Sequence, residues 1–291
     1  MADAREAMVY LDGRVLPRGE ATLSVEDRGA LFGDGVYEVI RYYAGRPYQL
    51  KAHQARLKRS LAGIELAEPE QLDELPAITD RLLEGNGMVE ASVYWQITRG
   101  AAGARSAIFP YTARPSVLVM CYPLRPLTRG AAAARCTAAL MADERWSHCW
   151  IKAVTLLPNV LARNRAKAAG HDEAILHRNG RVTEASSANV IGVFDGALRT
   201  HPLDGAILAG VTLGRTLDLA RQAGIQVLER AMSVDELLEA DELMLTGTSI
   251  EISAVTGVGE RVIGAGEPGP VTQQLYEALV GDIFHQCPTR G

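Results

Sequence analysis

Val89-Glu-Ala-Ser-Val-Tyr-Trp-Gln-Ile97 puts Val89, Ala91, Val93, Trp95 and Ile97 on every second position, the period of a strand that buries one face. A sheet is therefore expected in the first half of the chain. Upstream, Asp12-Gly13 stands between Val9 and Leu11 on one side and Val15 on the other. That pair is a type I′ hairpin signal, because both turn positions need positive φ. Val36, Val39 and Ile40 fall in a second predicted strand that ends at Gly45, and Leu57, Leu61 and Ile64 share one face of a helix within His53 to Ile64. A second helix is predicted over 72–84, with Pro76 near its start and Asn86-Gly87 as its stop.

Downstream, Pro123-Leu-Arg-Pro126-Leu-Thr-Arg-Gly130 carries two prolines that resist both a helix and a central strand. The sequence thus predicts a small N-terminal α/β domain over 1–122, a linker over 123–129 and a larger C-terminal domain over 130–291. In that second half, helices are predicted at about 155–169, 211–223 and 272–286, and strands at 136–141, 173–177, 189–194, 226–230 and 242–246. Asn179-Gly180 and Asp195-Gly196 read as hairpin turns, and Ser233 with Glu236 as a capping box. The expected fold class is α+β in two domains.

Composition narrows the chemistry. The 291 residues carry 30 Lys+Arg against 35 Asp+Glu, a net charge of −5, so no basic excess exists to neutralise nucleic-acid phosphates. The longest apolar run, Val117 to Tyr122, is far short of a membrane span, and Met1 to Met8 is charged where a signal peptide needs an apolar segment. A cytoplasmic protein is expected. Cys121, Cys136, Cys149 and Cys287 show neither CxxC spacing nor the density of a disulfide scaffold, and read as structural. No GxSxG, HExxH or GxxxxGK[ST] pattern occurs. Gly257-Val-Gly259 is followed by Glu-Arg-Val-Ile before Gly264, which fits a glycine-rich hairpin better than a dinucleotide fingerprint.

Only four of the cationic residues are lysines: Lys51, Lys58, Lys152 and Lys167. Lys152 alone is flanked by Trp150, Ile151, Ala153 and Val154. Buried there, its ammonium would be poorly solvated and the amine would become a nucleophile toward aldehydes; a snorkelling or ion-paired strand lysine is the other reading. Glu184, in Gly180-Arg-Val-Thr-Glu-Ala-Ser-Ser-Ala-Asn189, is either a carboxylate able to hold a proton on a heterocyclic nitrogen or an ordinary hairpin glutamate. Gly210-Val-Thr212 and Thr246-Gly-Thr248-Ser249 are each an anion loop or a simple cap or turn. Together with Arg56 in His53-Gln-Ala-Arg-Leu57, they are the parts needed to hold pyridoxal 5′-phosphate.

At this point the chain resembles the class IV pyridoxal-phosphate aminotransferases, nearest their D-amino acid branch. The matching stretches are Glu26-Asp-Arg-Gly29, Phe32-Gly-Asp-Gly-Val-Tyr-Glu-Val39, Thr98-Arg-Gly100, Arg145-Trp146, Ile151-Lys152, Glu173 to Asn179, Val182-Thr-Glu184, Ser186-Ser187 with Asn189, and Thr200-His-Pro202. The resemblance implies a two-domain fold type IV enzyme that binds pyridoxal 5′-phosphate and works as a homodimer. It implies that Lys152 bonds the cofactor as a Schiff base and shuttles the catalytic proton, that Glu184 pairs with the pyridinium nitrogen, and that Leu208 packs on the ring. Arg56, Thr212, the Val211 amide, Thr248 and the Gly247 amide would take the phosphate. Tyr37 and Arg105 would bind the substrate carboxylate, but Ala107 stands where the family pattern has a histidine. The implied reaction is transamination between a D-amino acid (D-alanine, D-glutamate) and a 2-oxo acid such as 2-oxoglutarate or pyruvate, with (R)-amine side activity. A branched-chain L-amino acid aminotransferase, an aminodeoxychorismate lyase and a non-catalytic binder of the cofactor stay open as alternatives.

Overall fold

The computed structural model describes residues 6–101, 103, 105–110 and 114–288. The chain separates into two compact units. The first comprises the described residues of Met1–Leu127, Ile151–Thr155 and Gln286–Gly291, and the second comprises Thr128–Trp150 and Leu156–His285.

In the first unit the elements run β1 (Met8–Leu11), β2 (Arg14–Pro17), α1 (Arg28–Phe32), β3 (Gly35–Tyr43), β4 (Arg46–Pro47), α2 (Leu50–Gly63), α3 (Leu75–Gly85), β5 (Ala91–Thr98) and β6 (Ser116–Pro123). The strands form one sheet in the order β2-β1-β6-β5-β3-β4. Asp12 and Gly13 adopt φ of 47° and 89°, as the hairpin between β1 and β2 requires. The alternation in β5 is realised: Ala91, Val93, Trp95 and Ile97 are fully buried and pack with Val36, Ile40, Leu57, Leu61, Leu75, Ile78 and Leu82. Each such large apolar side chain contributes about 1.5–3 kcal/mol. Trp95 also donates its indole N–H to Thr79 Oγ1 at 2.9 Å, so its polar edge is satisfied inside the core. Val89 lies outside the strand and is exposed, while its carbonyl accepts from Gly45 N at 2.7 Å.

The second unit contains β7 (Ala134–Ala142), α4 (Leu157–Ala168), β8 (Glu173–Arg178), β9 (Arg181–Ala185), β10 (Asn189–Phe194), β11 (Ala197–Thr200), α5 (Val211–Gln222), β12 (Val227–Glu229), α6 (Val234–Leu238), β13 (Glu242–Gly247), β14 (Glu251–Val258), β15 (Arg261–Val262) and α7 (Pro270–Gln286). Its sheet has the order β12-β11-β10-β13-β14-β7-β8-β9, with β15 on β14. The Gly257–Gly259 stretch belongs to the β14–β15 hairpin. The capping box of α6 is present, with Ser233 Oγ accepting from Glu236 N and Ser233 N donating to Glu236.

One sequence expectation is corrected. Lys152 was expected in the 130–291 domain, but Ile151–Thr155 belongs to the first unit. The reason is backbone pairing at an open strand edge: Tyr37 N donates to Lys152 O at 2.9 Å, Val154 N donates to Gly35 O at 3.0 Å, and Ala153 bridges Val36. The four cysteines are free thiols. Burial pushes Cys121 up to about 12 and Cys136 up to about 11, which keeps both protonated and inert.

Candidate active site

The residues expected at the cofactor divide between the two units. In the first, Lys152 is half-buried, with Ile151 and Ala153 buried on either side. Its backbone N–H donates to Ser60 Oγ at 3.1 Å, and its Nζ lies 4.3 Å from the ring centroid of Tyr37, which in turn stacks on Tyr94. Adjacent strand residues point to opposite faces, so Glu38 turns inward to α2. There Arg56 binds it through both oxygens: Nε to Oε2 at 2.9 Å and Nη2 to Oε1 at 2.6 Å. His53, one helical turn earlier on the same face, places Nδ1 3.0 Å from Glu38 Oε1. Burial favours the neutral imidazole, although Glu38 pulls the other way, and the His53 pKa is lowered. Burial also opposes ionisation of Glu38, but Arg56 and His53 outweigh it and hold the carboxyl well below the usual range.

In the second unit Glu184 is buried on β9 and accepts from three directions. The donors are Arg145 Nη1, Asn189 Nδ2 at 2.9 Å and the Leu208 amide at 3.1 and 3.2 Å. Asn189 also donates to Leu208 O at 2.9 Å, which fixes the backbone on which Leu208 is presented. A Cβ on Gly210 would lie 1.9 Å from Asn189 Oδ1, so only glycine fits where α5 begins. Gly210 caps α5 without a side-chain hydrogen bond, leaving the first-turn amides, Val211 and Thr212 among them, as anion donors. Asn189 pairs in register with Thr246, which brings the Gly247-Thr248 end of β13 beside the start of α5. Arg145 and Asn189 fall in stretches that match the family, but nothing in the sequence gives their partners, nor points to Asp143 two residues before Arg145.

Arg105 is exposed and its guanidinium stacks 5.1 Å from the Phe32 ring centroid. Next to it in sequence, Ser106 O accepts from Arg28 Nη1 at 2.5 Å, while Arg28 Nε holds Asp34 at 2.8 Å. Ala107, where the family pattern has a histidine, is exposed.

A match to the amino-transferase class IV family covers residues 35–258, which include Tyr37, Lys152, Glu184 and Thr248. The chain belongs to this family. It is 38% identical to the D-alanine aminotransferase of Listeria innocua over 280 residues, covering 96% of this chain and 97% of the relative. It is likewise 38% identical to the D-alanine aminotransferase of Bacillus licheniformis, covering 96% of this chain and 98% of that one. Among solved structures it is similar to the branched-chain aminotransferase from the thermophilic archaeon Thermoproteus uzoniensis with norvaline, with a TM-score of 0.84 and 28% identity, covering 96% of this chain and 95% of that one.

Pyridoxal 5′-phosphate is the cofactor of this class, and the residues fit it on grounds internal to this chain. Thr246 is only 1% exposed, yet its hydroxyl has no hydrogen-bond partner. A buried hydroxyl left so costs about 1–3 kcal/mol unless a ligand takes it up. It lies beside Asn189, the residue that steadies Glu184.

Proposed function

We propose that this chain transfers the amino group of a D-amino acid, D-alanine and D-glutamate foremost, to a 2-oxo acid such as 2-oxoglutarate or pyruvate, with side activity on (R)-amines, as a cytoplasmic homodimer. The observation that carries the reading is Lys152 Nζ over the Tyr37 ring, in a chain 38% identical to D-alanine aminotransferases along nearly its whole length. The dimer is supported by Leu157, Val160 and Leu161, which lie at positions i, i+3 and i+4 of α4 and stay exposed.

When bound, pyridoxal 5′-phosphate supplies an electron sink for the carbanion at the substrate Cα. The Lys152 amine would hold its aldehyde carbon and, once released, would serve as the base that takes the proton from the substrate Cα. Glu184 would keep a proton on the ring nitrogen, and Leu208 would pack on the ring. Arg56, the Val211 and Gly247 amides, Thr212 and Thr248 would hold the phosphate, and Thr246 would be a further donor to the cofactor. Tyr37 and Arg105 orient the substrate carboxylate. Without the second donor that the family pattern places at residue 107, that grip loses about 1.5–3 kcal/mol, which relaxes the demand for a carboxylate and admits (R)-amines.

The test is the visible spectrum of the purified protein. D-Alanine is expected to convert the bound cofactor to its pyridoxamine form, an (R)-arylalkylamine to do so more slowly, and L-alanine to leave it unchanged. The same preparation is expected to scatter light as a dimer. Conversion by L-amino acids alone would overturn the stereochemical assignment and favour a branched-chain enzyme. Thr246→Val is expected to leave the cofactor-free protein at least as stable, since an unpaired buried hydroxyl is removed. It should weaken cofactor binding roughly tenfold, the worth of one hydrogen bond; thermal melts and fluorescence titration check the two halves.

A further inference from the structure

We propose that Asp143 is a positioning residue that sets, through Arg145, how strongly Glu184 holds the proton on the cofactor ring nitrogen. This rests on the reading of Glu184 as the ring partner and goes beyond it.

The three side chains form a line of alternating charge. Asp143 is completely buried, Arg145 is 8% exposed and Glu184 is 6% exposed. Arg145 grips Asp143 with Nε on Oδ1 and Nη2 on Oδ2, both at 2.9 Å, and reaches Glu184 with the remaining terminal nitrogen. Asp143 is fixed in turn by Thr183 Oγ1 at 2.9 Å and by the Arg145 backbone N–H at 3.1 Å. Arg178 Nη2 approaches it at 3.4 Å from β8 and is partly exposed. Burial opposes the Asp143 charge, yet the bonds from Arg145 overcome it and hold its carboxyl below the usual range. Cys149 also feels all three charges, and burial pushes its thiol pKa up.

In so dry a place each charge acts strongly on its neighbour. A bare arginine on Glu184 would drain its basicity and loosen its hold on a ring proton. Asp143 takes up two of the three guanidinium nitrogens and offsets their charge, so less of it falls on Glu184. Asn189 and the Leu208 amide hold the Glu184 carboxylate independently of Arg145, so altering Arg145 changes the charge beside it more than its place.

The two ends of this arrangement therefore have opposite signs. In holoenzyme carrying cofactor isotopically labelled at the ring nitrogen, the pH at which that nitrogen loses its proton is read by NMR. Asp143→Asn is expected to lower that pH by about one unit, because Arg145 then draws fully on Glu184. Arg145→Gln is expected to raise it by a similar amount. If both variants shift it the same way, or neither shifts it, Asp143 and Arg145 merely pack the site and the proposal fails. Glu184→Gln is the control for the underlying reading. It should abolish the protonated signal near neutral pH, and a signal unchanged in that variant would overturn the Glu184 assignment itself.

Discussion

Lys152→Ala abolishes transamination. Removal of the amine proposed both to hold the cofactor aldehyde and to carry the proton is expected to lower turnover by at least about a thousandfold, since positioned proton transfer alone is worth ~10²–10⁴. Borohydride treatment should fix the mass of the cofactor onto the native chain and not onto the variant, which should also lose cofactor on desalting. The fold should survive: the ammonium over Tyr37 contributes at most about 0.5–1 kcal/mol at a partly exposed site, while the backbone bonds of residues 152 and 154 to β3 and Ser60 remain. The other lysines cannot substitute. Lys58 is tied to Glu68 and Asp73, Lys167 is largely exposed beside Asp172, and Lys51 is exposed. Cofactor still fixed by borohydride in Lys152→Ala would move the anchor elsewhere.

The sequence made local structure readable where local chemistry decides it. The β1–β2 hairpin needs positive φ at Asp12 and Gly13, the capping box of α6 is contained in Ser233 and Glu236, and the β5 alternation is a property of one strand. What was not readable depends on edges and on distant partners. Nothing in Trp150-Ile-Lys-Ala-Val154 says that it will pair with the open edge at Gly35–Tyr37, because edge pairing is set by which strand segment is left free once β4 ends. The spacing of His53 and Arg56 shows that they share a face of α2, but their common partner, Glu38, is supplied by another element.

The site residues follow the same division. Arg56 was legible as a cation suited to a phosphate, and the bidentate bond to Glu38 explains how so buried an arginine is kept in place. Glu184 was legible only as a carboxylate among small residues. The structure supplies Arg145, Asn189 and Leu208 as its fixed surroundings, and Gly210 as the residue that leaves room for Asn189. Gly210 was legible as part of a loop or cap, but that the Asn189 side chain on β10 forces it to be glycine was not.

Glu38→Gln destabilises the protein by about 3–5 kcal/mol at neutral pH, the cost of leaving a buried guanidinium without its counter-charge. Glu38 is 0% exposed, so solvent cannot replace what is lost. The pH dependence separates this from simple misfit. A carboxyl whose folded pKa is depressed stabilises the protein above its unfolded value, about 4.3. That contribution drains away as acid carries the pH below it toward the folded value. His53, also lowered, adds a loss in the same direction that begins at about 6.5, where the unfolded chain starts to take up its proton. Urea denaturation of the native protein is therefore expected to show stability falling first below about 6.5 and then more steeply below about 4.3. The variant should lack the second fall, so that the gap between the two proteins is full at neutral pH and narrows in acid. A gap that stayed constant down to strong acid would mean that the Glu38 side chain matters through its shape and not its charge, and that Arg56 is held in place by other bonds. The same variant should bind cofactor more weakly, because an arginine without Glu38 can turn away from the phosphate it is read to hold.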